Sequence, residues 1–197
     1  RPVSCVGGEE VGGGWRRRRA RGGGALLALE DRTDRFQPAR VVVSDGMGPE
    51  SIAVVMGGEP SGATFETVNV FLESAYWDPI TIAAAGRALK INSDARYRFE
   101  RGVDPEHTLP GLDLATRMIL DLCGGEASEV VMDGTVPVSD RAYRLDAKQV
   151  VSLVGMDIPE GDQRATLEAL GFALKGDMAT PPSWRPDILG AADLIEE

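Results

Sequence analysis

The chain has 197 residues, 43% of them apolar, which is enough to bury one large core or two small ones. Its net charge of −10 argues against a whole-surface grip on nucleic acid, which needs a basic patch or stripe. It has no run of roughly 18 apolar residues, so a membrane-spanning helix is excluded, and Cys5 and Cys123 are too few for a disulfide framework and lack zinc-site spacing.

A reducing cytoplasm fits this cysteine usage best, and nothing at the start resembles the apolar middle of a signal peptide. With Arg in first place and DLIEE in last, the chain is expected to be a fragment. Charge is unevenly placed. Residues 1–22 hold six Arg against two Glu, whereas residues 140–197 hold six Lys/Arg against eleven Asp/Glu. Any contact with RNA is therefore expected in the first part.

Residues 1–24 mix glycine runs with consecutive arginines, and they read as a mobile basic segment. ALLAL at 25–29 is strand-like. RVVVS at 40–44 predicts a buried strand, SDGMGPES at 44–51 a turn, and residues 52–56 and 68–72 two further apolar strands. β-Branched runs of this length, separated by turns, predict a sheet buried on one or both faces.

Helices are predicted at 78–89, with Pro79 where a missing amide hydrogen is harmless, and at 112–123, where Leu114, Met118, Ile119 and Leu122 recur before Gly124-Gly125. Both read as helices laid on the sheet. A last strand is expected at 128–132 and a linker at 133–140, which divides the chain into domains at 1–136 and 140–197. The second domain begins with the strand-like RAYRL. Asp146 then caps AKQVVSLVG, a helix follows over 160–170, and Gly171 stops it. This helix–turn–helix-like unit with an extended PPSWRPDI predicts a small winged or DNA-binding-like α+β fold, and the fold class of the whole chain is α+β with a mixed sheet in the first domain.

Two stretches carry charged chemistry. In INSDARYRFERGVDP, residues 91–105, Arg96, Arg98 and Arg101 accompany Asp94, Glu100 and Asp104. The residues fit either an internal salt-bridge knot or a nucleic-acid or ligand contact, since a guanidinium meets carboxylate and phosphate alike. At the end, Asp187, Asp193, Glu196 and Glu197 form D-x5-D-x2-E-E, and a helix over 192–197 would put the last three on one face. Oxygen ligands without His or Cys favour magnesium or calcium, while an acidic first helical turn explains the same residues without a metal.

The run NSDARYRFERGVDP, with NVFLESAYWDP at 69–79 and LATRMILDLCGG at 114–125, resembles the beta-chain family of bacterial phenylalanine–tRNA ligase, and the similarity runs from about residue 16 to residue 197. The resemblance implies an editing module that hydrolyses tyrosine wrongly attached to the phenylalanine tRNA. An apolar pocket cannot strongly reject a substrate that merely adds a hydroxyl, so a second site must destroy the product. It implies that Glu73 receives the tyrosine phenol and that Ser93 and Ala95 line the same pocket. It also implies that Asp187, Asp193, Glu196 and Glu197 are Mg2+ ligands involving a partner alpha chain. The implied whole is a cytoplasmic assembly of two alpha and two beta chains acting on ATP, phenylalanine and tRNA, with aminoacylation on the alpha chain.

Two positions depart from the family's pattern. Val54 stands where the family has a glycine lining the pocket, and the segment P-L-H-x-F-D is unrecognisable, its nearest register putting Ser4 in the histidine's place. His107 is the only histidine and reads as a surface or structural residue. These departures support an alternative, an editing-inactive module that binds tRNA or scaffolds the alpha chain.

Overall fold

The computed structural model describes residues 3–7, 16–19, 25–28, 32–35, 41–46, 48–52 and 56–197. The chain divides into two compact units, Arg1–Gly102 with His107–Asp133, and Val103–Glu106 with Gly134–Glu197. Both mix small antiparallel sheets with helices, an α+β architecture.

The first unit contains β1 (Val3–Gly7), β2 (Arg16–Arg19), β3 (Ala25–Ala28), β4 (Arg32–Arg35), β5 (Val41–Ser44), β6 (Pro49–Ile52), β7 (Met56–Gly57) and β8 (Val70–Ser74). Strands β2, β5, β6 and β7 form one sheet in that order, β3 pairs with β4, and β1 pairs with β8. A mixed sheet was predicted, yet every ladder among the described residues is antiparallel. The β-branched run does form the buried centre, with Val42 and Ile52 fully buried and Val43 and Leu26 nearly so. Asp45 closes the predicted turn by accepting the amide of Gly48 at 2.8 Å.

Helix α1 (Pro79–Leu89) starts as its sequence requires. Asp78 adopts extended backbone and accepts both the amide and the hydroxyl of Thr81, at 2.8 and 2.6 Å, and Pro79 sits in the first turn. Ile82, Gly86 and Leu89 are its buried face. Lys90 ends it in the left-handed region, and Ser93 then caps the short α2 (Asp94–Phe99), whose Phe99 is fully buried.

A single 3-10 turn, Pro105–His107, precedes α3 (Thr108–Cys123), which packs on β8 and β1. Its orientation differs from the predicted one. Leu114, Met118 and Leu122 point outward, while Leu112, Ala115 and Ile119 are half-buried and Gly111 is buried. Apolar residues occupy more than one face of this helix, so periodicity did not single out the face that docks. The strand expected at 128–132 does not form. Val130, Val131 and Met132 are exposed, and an apolar run without a neighbouring edge has nothing to complete its ladder.

The second unit contains β9 (Tyr143–Arg144), α4 (Ala147–Val154), α5 (Glu160–Ala169), β10 (Ala173–Lys175), β11 (Met178–Thr180) and α6 (Ala191–Glu196). Its sheet runs β10-β11-β9. The core joins Leu145, Leu167, Phe172, Ala179, Ile188 and Leu194. Asp146 caps α4 through the amide of Lys148 at 3.1 Å, and Gly171, at φ +93°, turns the chain from α5 into β10.

Candidate functional site

Glu73 lies on β8 directly across the ladder from residue 4 of β1. Its neighbour Ser74 donates a 2.8 Å hydrogen bond to the carbonyl of Thr108, which fastens the end of β8 to the first turn of α3. The Glu73 carboxyl is half-buried, and loss of solvent pushes its pKa above the ordinary 4.5. Among the described residues none hydrogen-bonds this carboxylate, so burial acts on it without compensation.

Ser93 and Ala95 share the start of α2. The Ser93 hydroxyl oxygen accepts the amide of Arg96 at 3.1 Å, which makes it the helix cap. Ala95, in the first turn, is half-buried. Helix α2 packs on α1, while β8 packs on α3 and β1, so different element pairs carry Ser93 and Glu73. Val54 lies outside the described residues.

The three arginines of the central run are spent within it. Arg96 donates Nε to Glu100 at 2.9 Å and Nη1 to the carbonyl of Ile91 at 2.6 Å, and Arg98 donates to Asp94 at 2.9 Å. Arg101 lies 3.7 Å over the Tyr97 ring and reaches Glu100 and the Tyr97 carbonyl. Spacing of four residues on one helix suffices for the two side-chain pairs, and the salt-bridge knot is what forms. Asp104 takes no part and accepts the amide of Glu106 instead.

Of the two expected roles for His107, surface or structural, its half-buried ring fits the structural one. Its ring lies over Gly111, where a Cβ would come within 3.0 Å of the ring's Cδ2, and its Nε2 is buried without a hydrogen-bond partner. The signal that could have found this contact is the glycine four residues on, in the first turn of the helix that His107 caps.

At the other end of the chain, Asp187 holds Arg185 through three donor–acceptor contacts of 2.6–3.1 Å, and Glu197 accepts from the same guanidinium. The hydrogen bond from Arg185 holds the Asp187 carboxyl below its ordinary 3.8. Asp193 accepts the amide of Leu189 at 2.7 Å, and Glu196 is exposed. Among the described residues no group of three or more His, Cys, Asp or Glu is placed to hold a metal ion. The four carboxylates therefore do not fit Mg2+ as they stand, because a hard cation needs six or so oxygens converging on it. Sequence spacing missed Arg185, which carries the positive charge this cluster does have.

Comparison with known proteins places these features in a class. Residues 2–124 match a B3/4 domain, and residues 143–197 match a tRNA synthetase B5 domain. The chain is 72% identical over 172 residues to the phenylalanine–tRNA ligase beta subunit of Cereibacter sphaeroides, covering 87% of this chain and 21% of that one. It is 63% identical over its full 197 residues to the same subunit of Ruegeria pomeroyi, 25% of whose length it covers. An N-terminal fragment of the phenylalanyl-tRNA synthetase beta subunit from Pyrococcus horikoshii has a TM-score of 0.47 at 14% identity, covering 98% of this chain and 57% of that one. The chain belongs to the phenylalanine–tRNA ligase beta-subunit family and spans about a quarter or less of the length of the curated relatives it matches. No helix among the described residues is long and apolar enough to cross a membrane.

Proposed function

We propose that this chain is the editing part of a phenylalanine–tRNA ligase beta chain, and that its first unit hydrolyses tyrosine wrongly attached to the phenylalanine tRNA. The observation that carries the reading is Glu73, a desolvated carboxylate with no hydrogen-bond partner among the described residues. A tyrosine phenol donates to such an acceptor. Phenylalanine leaves it unpaired at a cost of about 1–3 kcal/mol, and the difference is discrimination for the substrate that must be destroyed.

In this reading Ser93, Ala95 and Val54 line the pocket, and residues 1–136 and 140–197 act as an editing domain and a small helix–turn–helix-like domain of the winged or DNA-binding type. The whole assembly has two alpha and two beta chains in the cytoplasm, uses ATP and Mg2+, and binds tRNA. Family membership and the B5 match support the tRNA and alpha-chain contacts. In this reading magnesium serves the assembly as a whole.

A second reading, an editing-inactive module that binds tRNA or scaffolds the alpha chain, draws on one observation. The position facing Glu73 across the ladder is Ser4, where the family's histidine stands in the nearest register. Release of tyrosine from tyrosyl-tRNA of the phenylalanine type separates the two. Release by this chain that Glu73→Ala abolishes supports editing. Absence of release, when the intact beta chain of the same source is active, supports the scaffold.

A further inference from the structure

The acidic end of the chain is partly neutralised from within it. The Arg185 guanidinium, 23% exposed, faces both oxygens of Asp187 and one of Glu197. The arginine is itself held in place. Its amide donates to the carbonyl of Pro182 at 3.1 Å, and its carbonyl accepts Nη1 of Arg141 at 2.9 Å; the same Nη1 also reaches the carbonyl of Ile188 at 3.0 Å. Asp193, the third carboxylate, is turned to the amide of Leu189.

A planar guanidinium fixed by its own backbone is a rigid donor, and it takes up lone pairs on both Asp187 oxygens and one Glu197 oxygen, which lowers what those carboxylates can offer a metal. Two positive centres on the same two carboxylates repel each other at close range, so guanidinium and divalent ion exclude one another.

We infer that Arg185 is the built-in counter-cation of this cluster: it ties α6 to the preceding loop by bridging Asp187 and Glu197, and a divalent ion reaches these carboxylates only by displacing it. Arg185 is thus a positioning residue, and this inference stands apart from the editing reading.

Mn2+ alone, titrated into the 197-residue chain and followed by its paramagnetic resonance signal, tests it. The unaltered chain is expected to bind no tighter than roughly millimolar, the weak end of oxygen-ligand sites. Arg185→Gln, checked for fold by circular dichroism, is expected to bind Mn2+ at least tenfold tighter. Micromolar, stoichiometric binding by the unaltered chain, or no gain in a folded Arg185→Gln variant, overturns the inference.

Asp187→Asn gives a measurement that does not depend on that variant folding. If the carboxylate anchors the guanidinium, its loss lowers the metal-free melting temperature by several degrees, and added Mn2+ does not change the drop. A rise on substitution, the result expected when a preformed metal site loses one of several mutually repelling carboxylates, overturns it.

Discussion

Gly86 and Arg96 occupy the same space in turn: a Cβ at position 86 would stand 2.2 Å from Arg96 Cδ and 2.3 Å from its Nε. Helix α1 therefore has a glycine on its buried face where alanine has the better helical propensity, because the arginine stem crosses there on its way to Glu100 and the Ile91 carbonyl. Gly86→Ala is expected to destabilise the first unit by about 1–3 kcal/mol, since the stem is pinned at its far end and cannot yield cheaply. The double variant Gly86→Ala/Arg96→Ala should lose less than the sum of the two single changes. Denaturant unfolding of the four proteins measures that coupling, and strict additivity would show that the two residues do not meet.

Glu73→Gln should trade function for stability. A carboxyl whose pKa is raised on folding binds its proton more tightly in the native state. The stability it lends is therefore full below the ordinary 4.5 and is lost as pH rises through the folded value. An amide carries no such penalty. The variant is expected to be more stable by on the order of 1 kcal/mol at pH 7–8, with the gap closing toward pH 4, while tyrosine release falls. Melting curves across that range check the sign, and a gap that widens in acid would refute the assignment.

Ser93→Ala removes a helix cap and should cost about 1 kcal/mol, whereas Ser93→Asp supplies another oxygen to the Arg96 amide and should cost little. The aspartate variant separates capping from pocket lining. Stable protein that no longer releases tyrosine assigns Ser93 to the pocket; stable protein with full release assigns it to the cap alone.

Gly171→Ala is expected to weaken the second unit by about 1–2 kcal/mol, the cost of a left-handed conformation for a residue with a Cβ. The contact is tight as well, because that Cβ would lie 3.0 Å from Trp184 Cζ2. Thermal unfolding of Gly171→Ala beside Gly176→Ala, whose φ is also positive but whose surroundings are open, distinguishes crowding from strain.

Local chemistry was the legible part of this chain. Asp78-Pro79, Asp146 and Gly171 mark helix boundaries by hydrogen-bonding and φ preferences that act within a few residues, and those helices begin or end where these residues stand, whereas the short α2 capped by Ser93 was not expected. Pairings across the chain were not legible in the same way. Which face of α3 turns inward depends on β1 and β8, and the apolar run at 128–132 found no edge to join. Among the site residues, Glu73 stood out only through the family resemblance. Arg185 escaped notice because its partners lie two and twelve residues away, a distance set by the loop into α6.

The β1–β8 ladder joins the first and last described strands of the first unit, with the strands β2 to β7 lying between them in the chain. Closing so long a loop is slow compared with forming the hairpins inside it. The strand that bears Glu73 is thus expected to be set in place late in folding, after the intervening β5–β6–β7 meander has had time to form. A chain emerging from the ribosome presents the Glu73 carboxylate without a fixed strand opposite it until that last pairing closes.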